Sequence, residues 1–165
     1  MDCRIVEKPS FYIVGKSRKF AETSGENATL IPQFWDEFLN DKGGNEALMN
    51  LTQSRPGAVT GSMSLGVSMC KAGMEEFTYA IGVEATGKTL PAGFGVIHIP
   101  ATTWAIFECI GPLPGAIQDV MKQIFAEWFP SSGYKHPEYE LEVYLPGNMS
   151  SNNYNCQIWI HVNKI

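Results

Sequence analysis

Polar and apolar residues alternate strictly in two runs near the end of the chain, 140–145 and 156–162. Such alternation is typical of β-strands, because successive side chains point to opposite faces of a sheet. The runs flank a polar, glycine-containing connection. We therefore predict that they form a β-hairpin.

One face of this hairpin combines a carboxylate with large aromatic side chains. Alternation places Glu142 and Tyr144 on the face opposite the aliphatic residues of their strand. If the aliphatic residues of both strands share a face, the register brings Glu142 near Trp159 and Tyr144 near Gln157. Either water or a ligand is expected to cover such a face, and Glu142, Tyr144 and Trp159 are therefore candidate ligand-binding residues.

The first half of the chain reads as strand, helix, strand, strand. A strand is predicted over 5–17, interrupted by Pro9. An amphipathic helix is predicted over 27–40, with Asn27 as its N-cap and a stop before Gly43-Gly44. A short helical turn (46–51) and a hairpin (59–70 and 77–85) follow. Aromatic residues of the helix, including Trp35, are expected in the core.

The second half repeats that order after a linker at 86–95. It contains a predicted strand (96–110), a helix with an apolar stripe over 117–128 that Phe129-Pro130 ends, and the hairpin described above. The fold class predicted is α+β, one domain of pseudo-repeats at about 1–86 and 96–165. A largely antiparallel sheet would carry its helices on one face and a ligand groove on the other.

Composition narrows the function classes. With 165 residues, of which 44% are hydrophobic, the chain is long enough for one packed domain. A net charge of −5 without a basic run argues against direct nucleic-acid binding. No apolar run is long enough to span a membrane, no secretory signal is evident, and a cytoplasmic location is expected. The four cysteines lack metal or disulfide-framework spacing, and neither a metal nor a cofactor is predicted.

Several segments together resemble a known family. They are Tyr79-Ala80-Ile81-Gly82-Val83, Trp104-Ala105-Ile106-Phe107, Gly111-Pro112, the 117–128 helix followed by Ser132-Gly133-Tyr134, Glu142-Val143-Tyr144-Leu145-Pro146 and Cys156-Gln157-Ile158-Trp159-Ile160. In this order and spacing the chain resembles the GyrI-like small-molecule-binding domain. This is the effector-binding domain of AraC-type and multidrug-sensing MerR-type regulators.

The resemblance implies a groove between two pseudo-symmetric units, where a carboxylate on the penultimate strand contacts cationic aromatic drugs. Glu142 occupies the matching position, and Trp159 the aromatic position on the last strand. The chain shows no helix-turn-helix segment, so the DNA-binding role of the regulators is not carried over.

Four further residues are weaker candidates for the groove. Trp104 and Glu108 share one face of their strand, and pseudo-symmetry places Glu84 and Tyr79 at groove positions of the first half. Glu84 and Tyr79 have opposite parity, so both face a ligand only if the strand contains a bulge.

Three functions follow from these expectations. The first is a stand-alone binder of hydrophobic or cationic aromatic compounds. The second, implied by hydrolases of this family, is hydrolysis of cyclopropane-bearing DNA-alkylating natural products, with Glu142 as general base and Tyr144, Glu84 or Glu108 polarising the ligand carbonyl. The third is an interaction with DNA gyrase, for which no residue marks a partner surface.

Overall fold

The described strands of the chain range from two to eleven residues in length. The computed structural model describes residues 1–22, 25–53, 55–71, 73–87 and 90–165. Its strands are β1 (Arg4–Lys8), β2 (Phe11–Ala21), β3 (Ser64–Met69), β4 (Glu76–Glu84), β5 (Gly95–Ile99), β6 (Thr102–Ile110), β7 (Tyr134–Lys135), β8 (Tyr139–Tyr144), β9 (Asn155–His161) and β10 (Asn163–Lys164).

Eight of these strands form one antiparallel sheet in the order β1-β6-β9-β8-β3-β4-β2-β5. The order is symmetric about the central β8–β3 contact. Each half of the sheet has an edge strand (β1 or β5), then a long strand (β6 or β2), then the two strands of a hairpin (β9 and β8, or β4 and β3). The α+β class, with two strand-helix-strand-strand units and an antiparallel sheet, is confirmed. β7 and β10 pair separately.

Two predicted strands are each divided by a proline. The expected strand 5–17 is β1 and β2, separated near Pro9, and the expected strand 96–110 is β5 and β6, separated at Pro100. Proline cannot donate a hydrogen bond to a sheet, so each break falls where pairing must change. The halves consequently exchange edge strands, since β1 pairs with β6 and β5 pairs with β2.

The first helix, α1, spans Asn27–Asn40 as predicted, but Asn27 begins the helix rather than capping it. The Gly43-Gly44 pair does not end the helical region, because α2 spans Lys42–Gln53 and contains both glycines. The turn predicted at 46–51 is thus part of a longer helix.

The second helical region continues past its predicted end. It consists of α3 (Gly115–Gln123), a π-helical segment (Ile124–Trp128) and α4 (Phe129–Ser132). Pro130 lies in the first turn of α4, which continues directly from the π-helical segment, so the helical region does not end at this proline. Gly133, with φ of 73°, ends the helix in the left-handed conformation that glycine favours.

Both faces of the sheet are buried. Phe34 and Phe38 of α1 and Ile117 of α3 pack on one face. On the other face, Phe11 and Ile13 join the cluster of Trp104, Ile106 and Trp159, although their strands lie at opposite ends of the sheet. The sheet therefore curves around its helix-free face. The groove expected on that face is absent from this region, because a hydrophobic core fills it.

The final hairpin is present, but its predicted register is wrong by one residue. Glu142 pairs with Ile158, and Leu141 pairs with Trp159. The aliphatic residues of β8 and β9 consequently lie on opposite faces. A register that divides them is stable here because each face has its own apolar cluster to join.

No described helix combines the length and the apolar character that a membrane crossing requires.

Candidate ligand-binding site

The helix-covered face of the two central strands carries the polar residues of the site. On β8, Glu140, Glu142 and Tyr144 point to this face, and Gly66 of β3 lies directly opposite Glu142. The helices α1 and α3 pack on either side of this central strip. The strip is thus the floor of a trough between two helices.

Glu142 is held by a network of aromatic side chains. The hydroxyls of Tyr79 and Tyr144 donate to Glu142 Oε2 at 2.5 and 2.6 Å. Trp35 Nε1 donates to the Tyr79 hydroxyl at 2.8 Å, and the Trp35 ring lies edge-on to Tyr144 at 4.9 Å. Both tyrosine hydroxyls end on Oε2. Oε1 receives no hydrogen bond from any described residue.

Gly66 makes this network geometrically possible. A Cβ atom at this position would meet the Tyr79 hydroxyl and Glu142 Oε2. Tyr79 belongs to β4, the strand on the other side of β3, so its hydroxyl must cross Gly66 to reach Glu142. A side chain there would occupy the path of that hydrogen bond.

The protonation of the network follows from its burial. Desolvation raises the pKa of Glu142, and the hydrogen bonds from Tyr144 and Tyr79 partly offset this effect. The pKa values of Tyr79 and Tyr144 are raised well above their usual value, first by desolvation and then by the neighbouring carboxylate. Both tyrosines therefore remain donors, and a ligand cation would favour the ionised form of Glu142.

A cavity of about 500 Å³ opens above Glu142 between α1 and α3. Its walls are mostly apolar, and Glu142 and Tyr144 belong to its lining. The remaining lining residues are Asn27, Ala28, Ile31, Pro32, Trp35, Asp36 and Leu39 from α1, Leu113, Pro114, Ile117, Gln118, Met121 and Lys122 from the α3 region, and Met149. This size and composition are typical of small-molecule sites.

Three predicted site residues, Glu142, Tyr144 and Tyr79, meet in this network. Trp159, Trp104 and Glu108 do not: all three lie on the other face of the sheet. Trp159 and Trp104 are 5% and 0% exposed and tilt against each other at 6.0 Å. Trp159 lies there because of the one-residue shift in register between β8 and β9. Trp104 shares that face because it pairs with His161, two residues after Trp159 on β9.

Glu84 also lies on the other face, where it anchors a loop. It is 4% exposed and accepts hydrogen bonds from the backbone N–H of Val59 and from the backbone N–H and hydroxyl of Thr60. The parity argument is borne out, because β4 pairs regularly with both neighbours and so separates Glu84 from Tyr79.

Glu108 is an exposed residue of the opposite face, bonded to Gln157 Nε2 at 2.9 Å and paired with Arg4 at 3.4 Å. Neither Glu84 nor Glu108 is placed to act with Glu142 on one ligand.

Glu140 is a second carboxyl group on the trough floor. Its Oε1 lies 3.7 Å from His136 Nε2, and both side chains are about 15% exposed. Desolvation and then the charge of Glu142 raise the pKa of Glu140 to about 8. Desolvation also lowers the pKa of His136. Both groups are thus neutral near pH 7, and their contact is not an ion pair.

Trp35 and the walls of the cavity were missed by the sequence reasoning. The sequence predicts Trp35 in the core, and the residue does pack against both helix-side clusters. Its indole N–H nevertheless reaches Tyr79 and its ring borders the cavity. The sequence did contain a signal for this role of Trp35. The residue lies next to the stripe of Phe34 and Phe38 on α1, at the edge of the apolar face of the helix rather than at the centre of that face.

The fold is an α+β domain in which an antiparallel sheet and two helices enclose an apolar cavity with a carboxylate on its floor, the kind of cavity in which proteins bind small molecules. The chain belongs to the Cass2 family of integron-associated effector-binding proteins, whose model matches residues 4–162. The resemblance to GyrI-like domains is thereby confirmed, and small-molecule binding is the function that the family supports.

Solved structures share this fold. A candidate transcription-regulation protein from Staphylococcus aureus MU50 is 21% identical over 99% of both chains, with a TM-score of 0.79. SAV2435 bound to tetraphenylphosphonium is 22% identical over 99% of this chain and 94% of its own, also with a TM-score of 0.79. The Vibrio cholerae integron cassette protein VCH_CASS2 is 14% identical over 98% and 95%, with a TM-score of 0.69. No curated protein matches the sequence.

Proposed function

We propose that the protein binds hydrophobic cationic aromatic compounds in the cavity between α1 and α3, in order to sense or sequester them. The observation that carries this proposal is the half-satisfied Glu142 carboxylate on the floor of an apolar cavity. A desolvated carboxylate favours a positively charged partner, because leaving it unpaired is costly. Trp35 and Tyr144 supply aromatic surfaces beside it, which attract a cation further.

The comparison with SAV2435 supports the same ligand class, since that protein is bound to tetraphenylphosphonium. This compound combines a delocalised positive charge with four aromatic rings and offers no hydrogen-bond donor. It is therefore a suitable probe for the charge of Glu142 and the aromatic walls alone.

The test is a calorimetric titration of the wild-type protein with tetraphenylphosphonium and with neutral triphenylphosphine oxide. We expect the cation to bind more tightly, and Glu142→Gln to lose at least about tenfold in affinity for the cation only, or ~1.4 kcal/mol. Glu108→Gln is the matched control, because it removes the same charge from the opposite face. Equal affinity of wild type and Glu142→Gln would refute the proposal.

A second candidate function is hydrolysis of cyclopropane-bearing electrophiles, and the raised pKa of Glu142 favours it. A carboxylate whose pKa is raised by desolvation is a stronger general base. Glu142 would take a proton from water as the water oxygen bonds to a cyclopropane carbon. The strained C–C bond would break, and its electron pair would pass to the conjugated carbonyl, which is then protonated.

Of Tyr144, Glu84 and Glu108, only Tyr144 lies beside Glu142. Chromatography of such a compound after incubation with the protein should then show a ring-opened, water-added product that Glu142→Gln does not form. Recovery of the intact compound after incubation with stoichiometric protein would exclude hydrolysis and leave binding as the one candidate function.

A further inference from the structure

The mouth of the cavity carries one charged residue from each helix. Asp36 of α1 and Lys122 of α3 both belong to the cavity lining, and both are exposed. Asp36 lies two residues from each of the buried Phe34 and Phe38, and side chains two residues apart on an α-helix point about 200° apart. The Asp36 side chain therefore projects away from the sheet at the outer rim of the cavity, whereas Glu142 lies on the floor.

Asp36 differs from the other acidic residues at its end of α1. Glu37 accepts a hydrogen bond from Arg18 of β2 at 2.6 Å. Asp41, which follows the helix, accepts one from Lys16 of β2 at 2.8 Å. No described lysine or arginine lies within ion-pair distance of Asp36. The charge of Asp36 is therefore available to a cation at the mouth, while the charges of its neighbours are compensated by β2.

Lys122 is the positive residue on the opposite wall. Its Nζ lies 3.8 Å from Asp119 Oδ1 on the same helix, and its side chain is 77% exposed. The two rim charges act in opposite directions on an approaching cation, because Asp36 attracts it and Lys122 repels it. Charges at the rim of a binding site change the association rate and its salt dependence, whereas buried partners change the dissociation rate.

We infer that Asp36 is a second recognition residue of the cavity, which attracts cationic ligands to the mouth before Glu142 binds them on the floor. Lys122 opposes this attraction, so the two rim residues together set the preference for charge during entry. This inference rests on the proposed function, because it concerns entry of the same ligands into the same cavity.

The experiment follows the association of tetraphenylphosphonium by stopped-flow mixing, with tryptophan fluorescence as the signal because Trp35 lines the cavity. At about 10 mM salt we expect Asp36→Asn to lower the association rate constant about threefold, and Lys122→Met to raise it by a similar factor. At about 1 M salt, where the screening length is about 3 Å, both differences should disappear. An unchanged rate constant in Asp36→Asn at low salt would overturn the inference.

Three controls separate the charge of Asp36 from a structural role. Asp36→Glu keeps the charge and should retain the wild-type association rate constant, and the rate constant for neutral triphenylphosphine oxide should not respond to Asp36→Asn. A loss that Asp36→Glu shares, that persists at high salt, or that also affects the neutral ligand would mean that Asp36 only supports α1, and the inference would be wrong.

The third control, Glu37→Gln, removes the same charge at the next residue, which is paired with Arg18 and lies outside the cavity lining. Its effect on the association rate constant should be clearly smaller than that of Asp36→Asn. An equal effect would assign the attraction to the net charge of the protein and would likewise contradict the inference.

The dissociation rate constant distinguishes this inference from the proposed function. Glu142→Gln should raise it, because Glu142 contacts the bound cation, whereas Asp36→Asn should leave it nearly unchanged. Binding of tetraphenylphosphonium without any response of the association rate constant to Asp36→Asn contradicts only the inference. No binding by the wild-type protein contradicts both.

Discussion

Glu84 and Glu142 are both withdrawn from solvent in the same sheet, yet their surroundings differ. Glu84 accepts hydrogen bonds on both oxygens from Val59 and Thr60, at distances from 2.6 to 3.2 Å. Glu142 accepts two, both on Oε2, and borders the cavity. A carboxylate that local donors saturate holds a loop in place. One that they satisfy on a single oxygen retains capacity for a ligand.

Glu140 extends this comparison, because its carboxyl group receives no hydrogen bond from a described residue and has only the His136 contact at 3.7 Å. The three glutamates thus form a series from fully satisfied to unsatisfied. The series leads to three predictions on these glutamates and a fourth on Gly66: removal of the satisfied carboxylate should lower stability, and removal of the unsatisfied one should raise it at high pH.

Glu84→Leu should have the largest effect, a loss of about 3 kcal/mol in the free energy of unfolding, because the backbone N–H groups of Val59 and Thr60 lose their acceptor. Urea denaturation measures it, and exposed Glu108→Leu is the control, with a change within about 0.5 kcal/mol. Tetraphenylphosphonium affinity should not change. A loss below that of Glu108→Leu would show that Glu84 does not hold the loop.

Glu140→Gln should stabilise the protein at high pH. The pKa of the Glu140 carboxyl group is raised to about 8 in the folded protein, against about 4.3 in the unfolded chain. The contribution of Glu140 to the free energy of unfolding is therefore greatest below pH 4 and declines as the pH rises toward 8. We expect the free energy of unfolding of the variant to exceed that of the wild type by about 2 kcal/mol at pH 9 and to equal it at pH 4. The difference at pH 9 is smaller than the full linkage effect because the Glu140 side chain is partly exposed. Urea unfolding at both pH values measures the difference; parallel pH profiles would contradict it.

Glu142→Gln and Glu142→Leu should separate fold from function at the site. Both remove the charge and should lose cation affinity, but Gln keeps an acceptor for the hydroxyls of Tyr79 and Tyr144. Leu leaves the buried Tyr79 hydroxyl without one and should be less stable than Gln by about 1.5 kcal/mol. Thermal melts measure the stability, and titrations with a cationic aromatic dye measure the affinity. A variant that melts lower yet binds as well as wild type would assign Glu142 to the fold.

Gly66→Ala should lower the free energy of unfolding by at least about 1 kcal/mol, because the added methyl group meets the Tyr79 hydroxyl and Glu142 Oε2, and the buried Tyr79 ring must shift to make room. The Tyr79 bond to Glu142 should weaken, with cation affinity falling severalfold. Gly95→Ala is the control, since a Cβ atom there meets nothing within 4 Å. Equal affinities of the two variants would show that the Tyr79 bond does not prepare the site.

Much of the architecture was predictable because it depends on local patterns. The α1 boundaries followed from spacing, and the grouping of Glu142 with Tyr144 followed from alternation within one strand. The interruption of 5–17 was predicted from Pro9, whereas 96–110 was predicted as one strand although Pro100 divides it. The partners of these strands in the sheet could not be predicted, because pairing with a distant strand leaves no local periodicity.

The sequence by itself determined which residues share a face of each strand, and therefore that Glu142 and Tyr144 act together while Glu84 and Tyr79 do not. Only the tertiary structure decided which face of each strand the helices cover and how β8 and β9 are aligned. The long connection between these strands leaves their register free, and both faces of the sheet are apolar, so burial alone favours neither alignment. The site itself, in which Trp35, Tyr79 and Glu142 meet across Gly66, exists only because packing brings three distant segments to one place.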